Sequence, residues 1–282
     1  MRQTPFLVIG VDGGGTGCRA GLWDAAGTPL ARAEGGPSNV TSDFDGACGN
    51  ILQALAQLDA AVPGASGRAV GHLGLAGAIS PEICAAVAAR MPMRRSTVTG
   101  DMPTTVAGAL GAQDGAVVAL GTGSFVGLQR GGEVRSVGGW GLQVSDQASA
   151  AWIGRAALSA TLAAVDGMAP MGPMARALLD RFDGDPNGIV RFAATARPVD
   201  YGALAPQVLS SSDDAAQDIR AEAVRWIDAA LSALGHTDDL PICLIGGMGA
   251  RFAPLLARPG RTFVDPRGTA LDGAHQLARA AA

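Results

Sequence analysis

Asp12 and Thr16 enclose three consecutive glycines near the start of the chain, in the sequence DGGGT, directly after the apolar run VIGV. A carboxylate at the end of a strand can hold hydrated Mg²⁺, which prefers one or two carboxylates and keeps several of its waters. Glycines, which lack a Cβ, let backbone N–H groups approach phosphate oxygens, and the Thr16 hydroxyl offers a further hydrogen bond. The simpler interpretation is a tight turn that Asp12 caps, and for this motif alone it is the better one.

Two later stretches repeat the arrangement of an apolar run that leads into glycines. They are GTGS at 121–124 and LIGG at 244–247. In open α/β sheets, ligands bind beyond the carboxyl ends of strands, where such loops gather. Each loop by itself is an ordinary turn, but three in this order favour phosphate binding.

The absence of lysine narrows the chemistry, since all 21 basic residues are arginine. Schiff-base and PLP chemistry need a lysine, and so does the P-loop. A nucleotide would therefore be bound by another route. Ser124 has no histidine near it in sequence, which gives little support to a hydrolase triad.

Three further polar residues stand at the ends of predicted elements. Asp101 ends an apolar run before a helical pattern, and Asp146 precedes another, so both fit a helix N-cap as well as a catalytic or binding role. Asn39 follows Pro37 and fits a turn residue, although its amide can both donate to and accept from a ligand.

Composition excludes several classes of protein. The net charge of −4 offers no basic field for nucleic acid or an anionic membrane. No apolar stretch has transmembrane length and no signal-peptide pattern begins the chain, so we expect a cytoplasmic protein. The four cysteines are scattered, and the three histidines lie far apart, which excludes a zinc ligand set and an HExxH site.

The elements that must position these residues form two similar series. The first is three strands followed by alternating helices and strands, which indicates a mixed sheet covered by helices. Its strands are predicted at 5–11, 17–23, 29–34, 69–75 and 95–100, and its helices at 43–61, 81–91 and 103–111.

The second series begins again with a strand, a glycine-rich loop and a hairpin, so the chain uses one unit twice. We predict strands that run into glycine loops over 115–124 and 241–249, two strands joined by a Gly-Gly turn over 124–139, and a last strand at 261–264. Helices are predicted over 147–165, 173–182, 214–234 and 268–280.

In this order, DGGGT, GTGS and LIGG resemble the first phosphate, second phosphate and adenosine motifs of the sugar kinase/Hsp70/actin superfamily. Within it, the chain resembles the BadF/BadG/BcrA/BcrD ATPase group, which includes N-acetylglucosamine kinases and bacterial glucosamine kinases. The similarity covers essentially the whole chain. It is made more specific by GGPSNV (35–40), GDMPTTVAGAL (100–110), GGWGLQVSDQASAAWIG (138–154) and VDYGALAPQVL (199–209).

The resemblance implies an α/β fold of two RNase H-like, actin-like ATPase domains with ATP in the cleft between them. The expected boundaries are 1–112 for the first domain and 113–267 for the second, with the C-terminal helix at 268–282 packing back on the first.

The resemblance also implies roles for individual residues. Asp12 is the metal ligand, and Asp101 is the catalytic base that accepts the proton of the sugar 6-hydroxyl and contacts the sugar. The remaining sugar ligands are Asn39, Gly139, Trp140 and Asp146. The ATP-binding residues are Gly13, Gly14, Gly15, Thr16, Thr122, Gly123, Gly246, Gly247 and Arg251. For Arg251, a solvated position on the surface is the alternative.

The implied activity is an ATP- and Mg²⁺-dependent hexosamine kinase acting on a small amino sugar. SDQ at 145–147 replaces the GDE common in N-acetylglucosamine kinases, which together with the DYG segment favours glucosamine. Gln147, Ala148 and Ala150 depart from the family pattern at positions that bear on the sugar 2-substituent. We expect no nucleic acid or membrane partner, and a homodimer if the chain assembles.

Two other classes remain open. An activator of a 2-hydroxyacyl-CoA dehydratase shares the fold group but holds an iron–sulfur cluster with mid-chain cysteines, and no cysteine lies between Cys84 and Cys243. A sugar-sensing regulator would need a DNA-binding extension, yet the first strand is expected from residue 5. A non-catalytic sugar-binding protein is a further alternative, which the presence of Asp12, Asp101 and Asp146 disfavours.

Overall fold

The computed structural model describes residues 6–282, which divide into two compact units. The first comprises the chain up to Asp114 together with Gln129–Arg135 and Asp265–Ala282. The second comprises Gly115–Leu128 and Ser136–Val264. The predicted first strand begins at Pro5, which lies outside the described residues, and the observed strand begins at Leu7.

Ten strands and twelve helices are found among the described residues. The strands are β1 (Leu7–Gly13), β2 (Cys18–Trp23), β3 (Pro29–Gly35), β4 (Ala69–Leu75), β5 (Arg95–Thr99), β6 (Gly115–Leu120), β7 (Ser124–Arg130), β8 (Glu133–Gly138), β9 (Ile242–Ile245) and β10 (Phe263–Val264). The helices are α1 (Phe44–Ala61), α2 (Ala65–Arg68), α3 (Pro81–Ala88), α4 (Asp101–Leu110), α5 (Ala150–Val165), α6 (Pro173–Asp180), α7 (Pro186–Thr195), α8 (Pro198–Gly202), α9 (Ala205–Ser210), α10 (Asp214–Ala233), α11 (Gly249–Leu256) and α12 (Ala270–Ala280).

The sheet of the first unit has the strand order β3-β2-β1-β4-β5. β1 pairs antiparallel with β2 and parallel with β4, and β4 pairs parallel with β5. Nearly every residue of β1 and every residue of β4 is buried, because the two faces of the sheet are both covered. Asp12 is thereby carried to the carboxyl end of a central strand.

The C-terminal helix α12 packs in the first unit, against α4 and β1. The approach is so close that a Cβ on Gly108 would lie 1.9 Å from Thr269 O, and one on Gly273 would lie 1.9 Å from Thr104 O. Only glycine permits this distance at the two crossing points. The packing holds the helix that begins at Asp101 against the sheet.

The sheet of the second unit has the order β10-β9-β6-β7-β8. Read in reverse, as β8-β7-β6-β9-β10, this order matches that of the first sheet strand by strand. β6 then corresponds to β1, β9 to β4 and β10 to β5. β6, β9 and β10 run parallel. The prediction that one unit occurs twice is therefore confirmed by strand order.

Two features of the second unit differ from the sequence prediction. The helix predicted from residue 147 begins at Ala150, because the Ser149 hydroxyl caps it by accepting a hydrogen bond from Trp152 N. Asp146 and Ala148, just before the cap, have left-handed φ angles of 60° and 67°. Such residues cannot continue a right-handed helix. The short helices α7, α8, α9 and α11 were not predicted.

Candidate active site

The first glycine loop connects β1 to β2 and is closed by its own backbone. Gly14 N donates to Gly17 O at 2.9 Å, and Ser38 N donates to Gly14 O at 2.9 Å. A Cβ on Gly13 would lie 2.6 Å from both Leu75 Cδ2 and Ser38 Oγ. Within residues 6–282, the amides of Gly15 and Thr16 donate to no other group. These two amides, rather than that of Gly14, are free to bind a phosphate.

Asp12 forms an ion pair with Arg19. The residues face each other across β1 and β2, and Arg19 Nη2 donates to Asp12 Oδ2 at 2.8 Å. The Asp12 side chain is 14% exposed and that of Arg19 is 59% exposed. Burial raises the pKa of the Asp12 carboxyl, while the charge and hydrogen bond of Arg19 oppose that rise. Sequence reasoning missed Arg19, although the register of a tight β1–β2 hairpin places it opposite Asp12.

Asp101 is the first residue of α4, and the N-cap position belongs to Gly100, which has no side chain to cap the helix. The N-cap interpretation of Asp101 is therefore wrong. Burial raises the pKa of the Asp101 carboxyl, and the charge of Asp12 raises it as well, against the lowering effect of the Asp101 and Met102 amides. The two carboxylates thus lie within electrostatic reach of each other in the first unit.

Asn39 forms a turn and keeps a donor available. Its Oδ1 accepts from Thr41 N at 3.0 Å and from Ser42 N at 3.1 Å. The hydroxyl of Thr41 donates to Gly77 O at 2.6 Å, which fixes the loop against its neighbour. No group among the described residues accepts from Asn39 Nδ2, so this amide can donate to a ligand hydroxyl.

The second glycine loop leads from β6 to β7 and is joined to the start of α5. Gly121 N donates to Gly123 O at 3.0 Å, while Ala150 N donates to Gly121 O at 2.9 Å. The loop carbonyls therefore satisfy a helix-start amide that would otherwise be unpaired. The amides of Thr122 and Gly123 donate to no group in the described part of the chain, which leaves them free for a phosphate.

Asp146 lies against this second loop. The residue is 7% exposed, and its Oδ1 accepts from Gly141 N at 3.0 Å. A Cβ on Gly123 would lie 2.8 Å from Asp146 Oδ2, so the carboxylate borders the second glycine loop. Burial raises the pKa of the Asp146 carboxyl, and the Gly141 amide opposes that rise. The N-cap interpretation of Asp146 is wrong too, because Ser149 caps α5.

Gly139 and Trp140 precede this carboxylate in the same loop. Gly139 N donates to Ser124 O at 3.0 Å, which ties the segment to the first residue of β7. Trp140 is 74% exposed, an unusual position for so large an apolar ring. An exposed aromatic ring in a loop beside a phosphate-type turn is available to pack on a substrate.

A cavity of about 440 Å³ opens beside the second and third glycine loops in the second unit. Gly246 has a φ of +87°, and a Cβ there would lie 2.4 Å from Leu120 O, so only glycine fits between β6 and β9. On the side of the glycine loops the cavity is lined by Gly121, Thr122, Gly247 and Met248, and by Arg251 in the first turn of α11. The volume suits a nucleoside.

The opposite wall of the cavity comes from the helices that the sequence did not predict. α8 can approach because Gly154 in α5 has no side chain, and a Cβ there would lie 1.9 Å from Tyr201 O. This wall is lined by Val199, Gly202, Ala203, Pro206 and Leu209, together with Ala150 at the start of α5. The segment 199–209, quoted above only for its resemblance, therefore shapes this pocket.

The residues present fit a magnesium ion that arrives with a nucleotide. No group of three or more His, Cys, Asp or Glu that could hold a metal occurs in residues 6–282. Mg²⁺ needs no such group, because it binds through one or two carboxylates and completes its shell with phosphate oxygens and waters. Asp12, whose side chain is 14% exposed, would supply such a carboxylate. No helix in the described part of the chain is long and apolar enough to cross a membrane.

Two five-stranded mixed sheets of equal strand order, covered by helices, define the α/β fold of the actin-like ATPases that includes sugar kinases. The chain belongs to the BadF/BadG/BcrA/BcrD ATPase family, whose profile matches residues 9–255. The predicted fold class and family are therefore confirmed.

Two relatives resemble the chain over nearly its whole length. It is 32% identical to the glucosamine kinase GspK of Vibrio cholerae, with 96% of this chain and 95% of that one covered. It is 35% identical to a protein of Chromobacterium violaceum assigned as an N-acetylglucosamine kinase, whose crystal structure matches with a TM-score of 0.81 over 97% of this chain and 99% of that one.

A more distant structure shares the fold alone. It is a ROK family glucokinase from Streptomyces griseus in complex with glucose and AMPPNP. It is 21% identical, with a TM-score of 0.54 over 97% of this chain and 99% of that one.

Proposed function

We propose that this protein is an ATP- and Mg²⁺-dependent sugar kinase that phosphorylates the 6-hydroxyl of an amino sugar, with glucosamine favoured over N-acetylglucosamine. The observation that carries the proposal is the pair of half-buried carboxylates, Asp12 and Asp101, beside a glycine loop with two free amides. The similarity to a glucosamine kinase and to a protein assigned as an N-acetylglucosamine kinase supports the choice of substrate class.

The nucleoside of ATP occupies the cavity beside Gly247 and Arg251. Its phosphates are bound by the free amides of the glycine loops, those of Gly15 and Thr16 in the first and of Thr122 and Gly123 in the second. Backbone donors suit this task because they are fixed before the ligand arrives. They also explain how a chain without lysine binds a triphosphate.

Asp12 holds Mg²⁺, which when bound neutralises charge on the phosphate oxygens. Asp12 Oδ2 accepts from the Arg19 guanidinium, so the ion would bind at Asp12 Oδ1. Arg19 then keeps four further N–H donors beside the phosphates.

Asp101 acts as the general base. Its carboxylate accepts the proton of the sugar hydroxyl as the hydroxyl oxygen forms a bond to the γ-phosphorus. The bond from that phosphorus to the β–γ bridging oxygen breaks, and ADP leaves with the electron pair. The raised pKa of Asp101 suits this role, because a stronger base accepts the proton more readily.

Asn39, Gly139, Trp140 and Asp146 bind the sugar. Asn39 donates from its amide to a hydroxyl, and the Trp140 ring covers an apolar sugar face. The Asp146 carboxylate attracts a positively charged 2-amino group, which favours glucosamine over its N-acetyl derivative. Gln147 replaces the acid usual in the family, and its Oε1 accepts from Ser145 Oγ at 3.2 Å, so a second charge is absent at this position.

The test is sugar-dependent ADP release, measured by a coupled assay with and without Mg²⁺. We expect turnover with a hexosamine and Mg²⁺, background without either, and the highest kcat/KM for glucosamine in a panel with N-acetylglucosamine and glucose. Phosphorus–proton NMR of the product identifies the phosphorylated hydroxyl. Background turnover across a broad sugar panel refutes the kinase, whereas a preference for another sugar refutes only the proposed specificity.

A further inference from the structure

His72 is a buried histidine that the proposed chemistry does not use. It lies in β4, between β1 and β5, and is 5% exposed. Its Nε2 lies 3.0 Å from the hydroxyl oxygen of Thr99, near the end of β5. Burial lowers the pKa of His72 from 6.5 to about 4, so the imidazole is neutral at neutral pH.

The direction of this hydrogen bond follows from the second bond that Thr99 makes. Thr99 Oγ1 donates to Gly100 O at 2.8 Å. A hydroxyl has one proton, so toward His72 the Thr99 oxygen must accept. The neutral His72 ring therefore carries its proton on Nε2.

The chain of hydrogen bonds ends next to the proposed catalytic base. Gly100 holds the N-cap position of α4, with no side chain to cap the helix, and Asp101 follows directly. On the other side of Asp101, its carbonyl accepts from the hydroxyls of Thr104 at 2.9 Å and Thr105 at 2.8 Å. The peptide bonds before and after Asp101 are thus both fixed by threonine hydroxyls.

We propose that His72 is a positioning residue for Asp101. Its Nε2–H holds the Thr99 hydroxyl in the orientation that donates to Gly100 O, and this fixes the peptide from which the Asp101 carboxylate projects. The inference rests on the proposed kinase function, because it assigns a supporting part to that function's base. An alternative is that Thr99 only satisfies a buried histidine and has no effect on catalysis.

The test compares Thr99→Val, which removes the hydroxyl at nearly constant volume, with Thr99→Ser, which keeps it. We expect kcat to fall about 10- to 100-fold in Thr99→Val, because small misplacements of a reacting group have effects of this size. KM for ATP and for the sugar should stay within about twofold, and Thr99→Ser should recover most of kcat. A Thr99→Val protein that melts earlier but keeps the wild-type kcat overturns the proposal.

A second pair of variants covers the case in which Thr99→Val does not fold. His72→Gln keeps an amide donor for Thr99, whereas His72→Leu has none. We expect kcat to be much lower in His72→Leu than in His72→Gln, and equal values in the two overturn the proposal.

Nitrogen-15 NMR of the His72 ring tests the hydrogen-bond chain without any activity. The proposal requires the neutral ring with its proton on Nε2, and a proton on Nδ1 refutes it. A wild-type protein without sugar-dependent turnover, but with the proton on Nε2, refutes the proposed function and leaves the hydrogen-bond chain intact.

Discussion

At the scale of single residues, the two carboxylates of the first unit differ in their charged neighbours. Asp12 has the Arg19 guanidinium, whereas among residues 6–282 the only charge that acts appreciably on Asp101 is that of Asp12, which is negative. Within the part of the chain that the structure describes, this makes Asp101 the carboxylate better suited to accept a proton and Asp12 the one better suited to stay ionised.

Replacing the base should therefore remove chemistry and leave binding. We expect Asp101→Asn to reduce kcat by about 10²- to 10⁴-fold, the usual contribution of a general base. The dissociation constant for the sugar, measured by calorimetry, should change only slightly, because the amide keeps the size of the carboxyl. Asp218→Asn on the exposed face of α10 is the matched control and should behave like wild type. Full activity of Asp101→Asn would exclude it as the base.

Arg19 should determine how well Asp12 holds a metal. The guanidinium opposes the rise that burial causes in the Asp12 pKa, so Arg19→Gln should raise that pKa further. Protonated Asp12 cannot bind a cation. We therefore expect Mg²⁺-dependent nucleotide affinity to fall in Arg19→Gln, and to fall more at pH 5.5 than at pH 8, as measured with a fluorescent nucleotide. Arg19→Lys, which keeps the charge, should show a smaller loss, and equal losses at both pH values would contradict this account.

His72 should make the fold sensitive to acid. Its pKa is lowered to about 4 in the folded protein, from an ordinary value of 6.5, so between these values the unfolded chain binds the proton more tightly. The free energy of unfolding is therefore unaffected by this group above pH 6.5. It falls by about 3 kcal/mol as the pH is lowered from 6.5 to 4. His72→Gln lacks this titration. Urea denaturation at pH 7 and pH 4.5 should show a smaller acid-induced loss of unfolding free energy in His72→Gln than in wild type. Identical losses in the two proteins would refute this role of His72.

At the scale of elements, the shape of the cavity beside the second and third glycine loops depends on how closely α8 approaches α5. A Cβ on Gly154 would lie 1.9 Å from Tyr201 O, a backbone atom that can move only with the helix. We expect Gly154→Ala to displace α8, to destabilise the protein by about 1–3 kcal/mol and to weaken nucleotide binding at least tenfold. Binding and urea denaturation measure the two effects.

Gly49→Ala is the matched control for this substitution. Gly49 also lies within a helix, α1, but a Cβ there would contact nothing within 4 Å. Alanine is the better helix former, so this variant should gain up to about 1 kcal/mol in stability and bind nucleotide like wild type. Unchanged nucleotide binding in Gly154→Ala would show that α8 does not shape the cavity.

The elements differ in how far the sequence predicts them. β1 and β6 were predicted because a continuous apolar run followed by glycine indicates a buried strand. α1 was predicted to begin at Asp43, whose carboxylate accepts from Gly46 N at 2.9 Å. These signals are local, and the chain near them folds as its own sequence dictates.

The missed features depend on contacts between distant parts of the chain. α7 and α8 begin with Pro186 and Pro198, which are helix-start signals, but helices this short are stabilised by packing rather than by propensity. The left-handed backbone of Asp146 and Ala148 could not be predicted either, since non-glycine residues rarely adopt it. Such strain is characteristic of functional loops, and here it borders the second glycine loop.

At the scale of the whole molecule, the first unit is assembled from both ends of the chain. α12 covers β1 and β2 from the far end of the sequence, where Leu271 and Ala278 pack with Val8 and Trp23. The Trp23 and His275 rings stack with their centroids 4.2 Å apart. The first unit is therefore incomplete until the last residues are present, whereas the second unit needs none of them.

Removal of α12 should accordingly affect the two sheets differently. We expect a chain that ends at Val264 to lose hydrogen-exchange protection in β1 and β4, because their covering face is exposed, and to keep it in β6 and β9. Hydrogen exchange read by mass spectrometry measures both. Deletion of the exposed residues 281 and 282 is the control and should change neither sheet.

If the shortened chain does not accumulate, Gly273→Val in the full chain makes the same test, since a side chain there collides with Thr104 O. Retained protection in β1 in both proteins would show that the first sheet is stable without α12, and equal loss in both sheets would show that the two units unfold together.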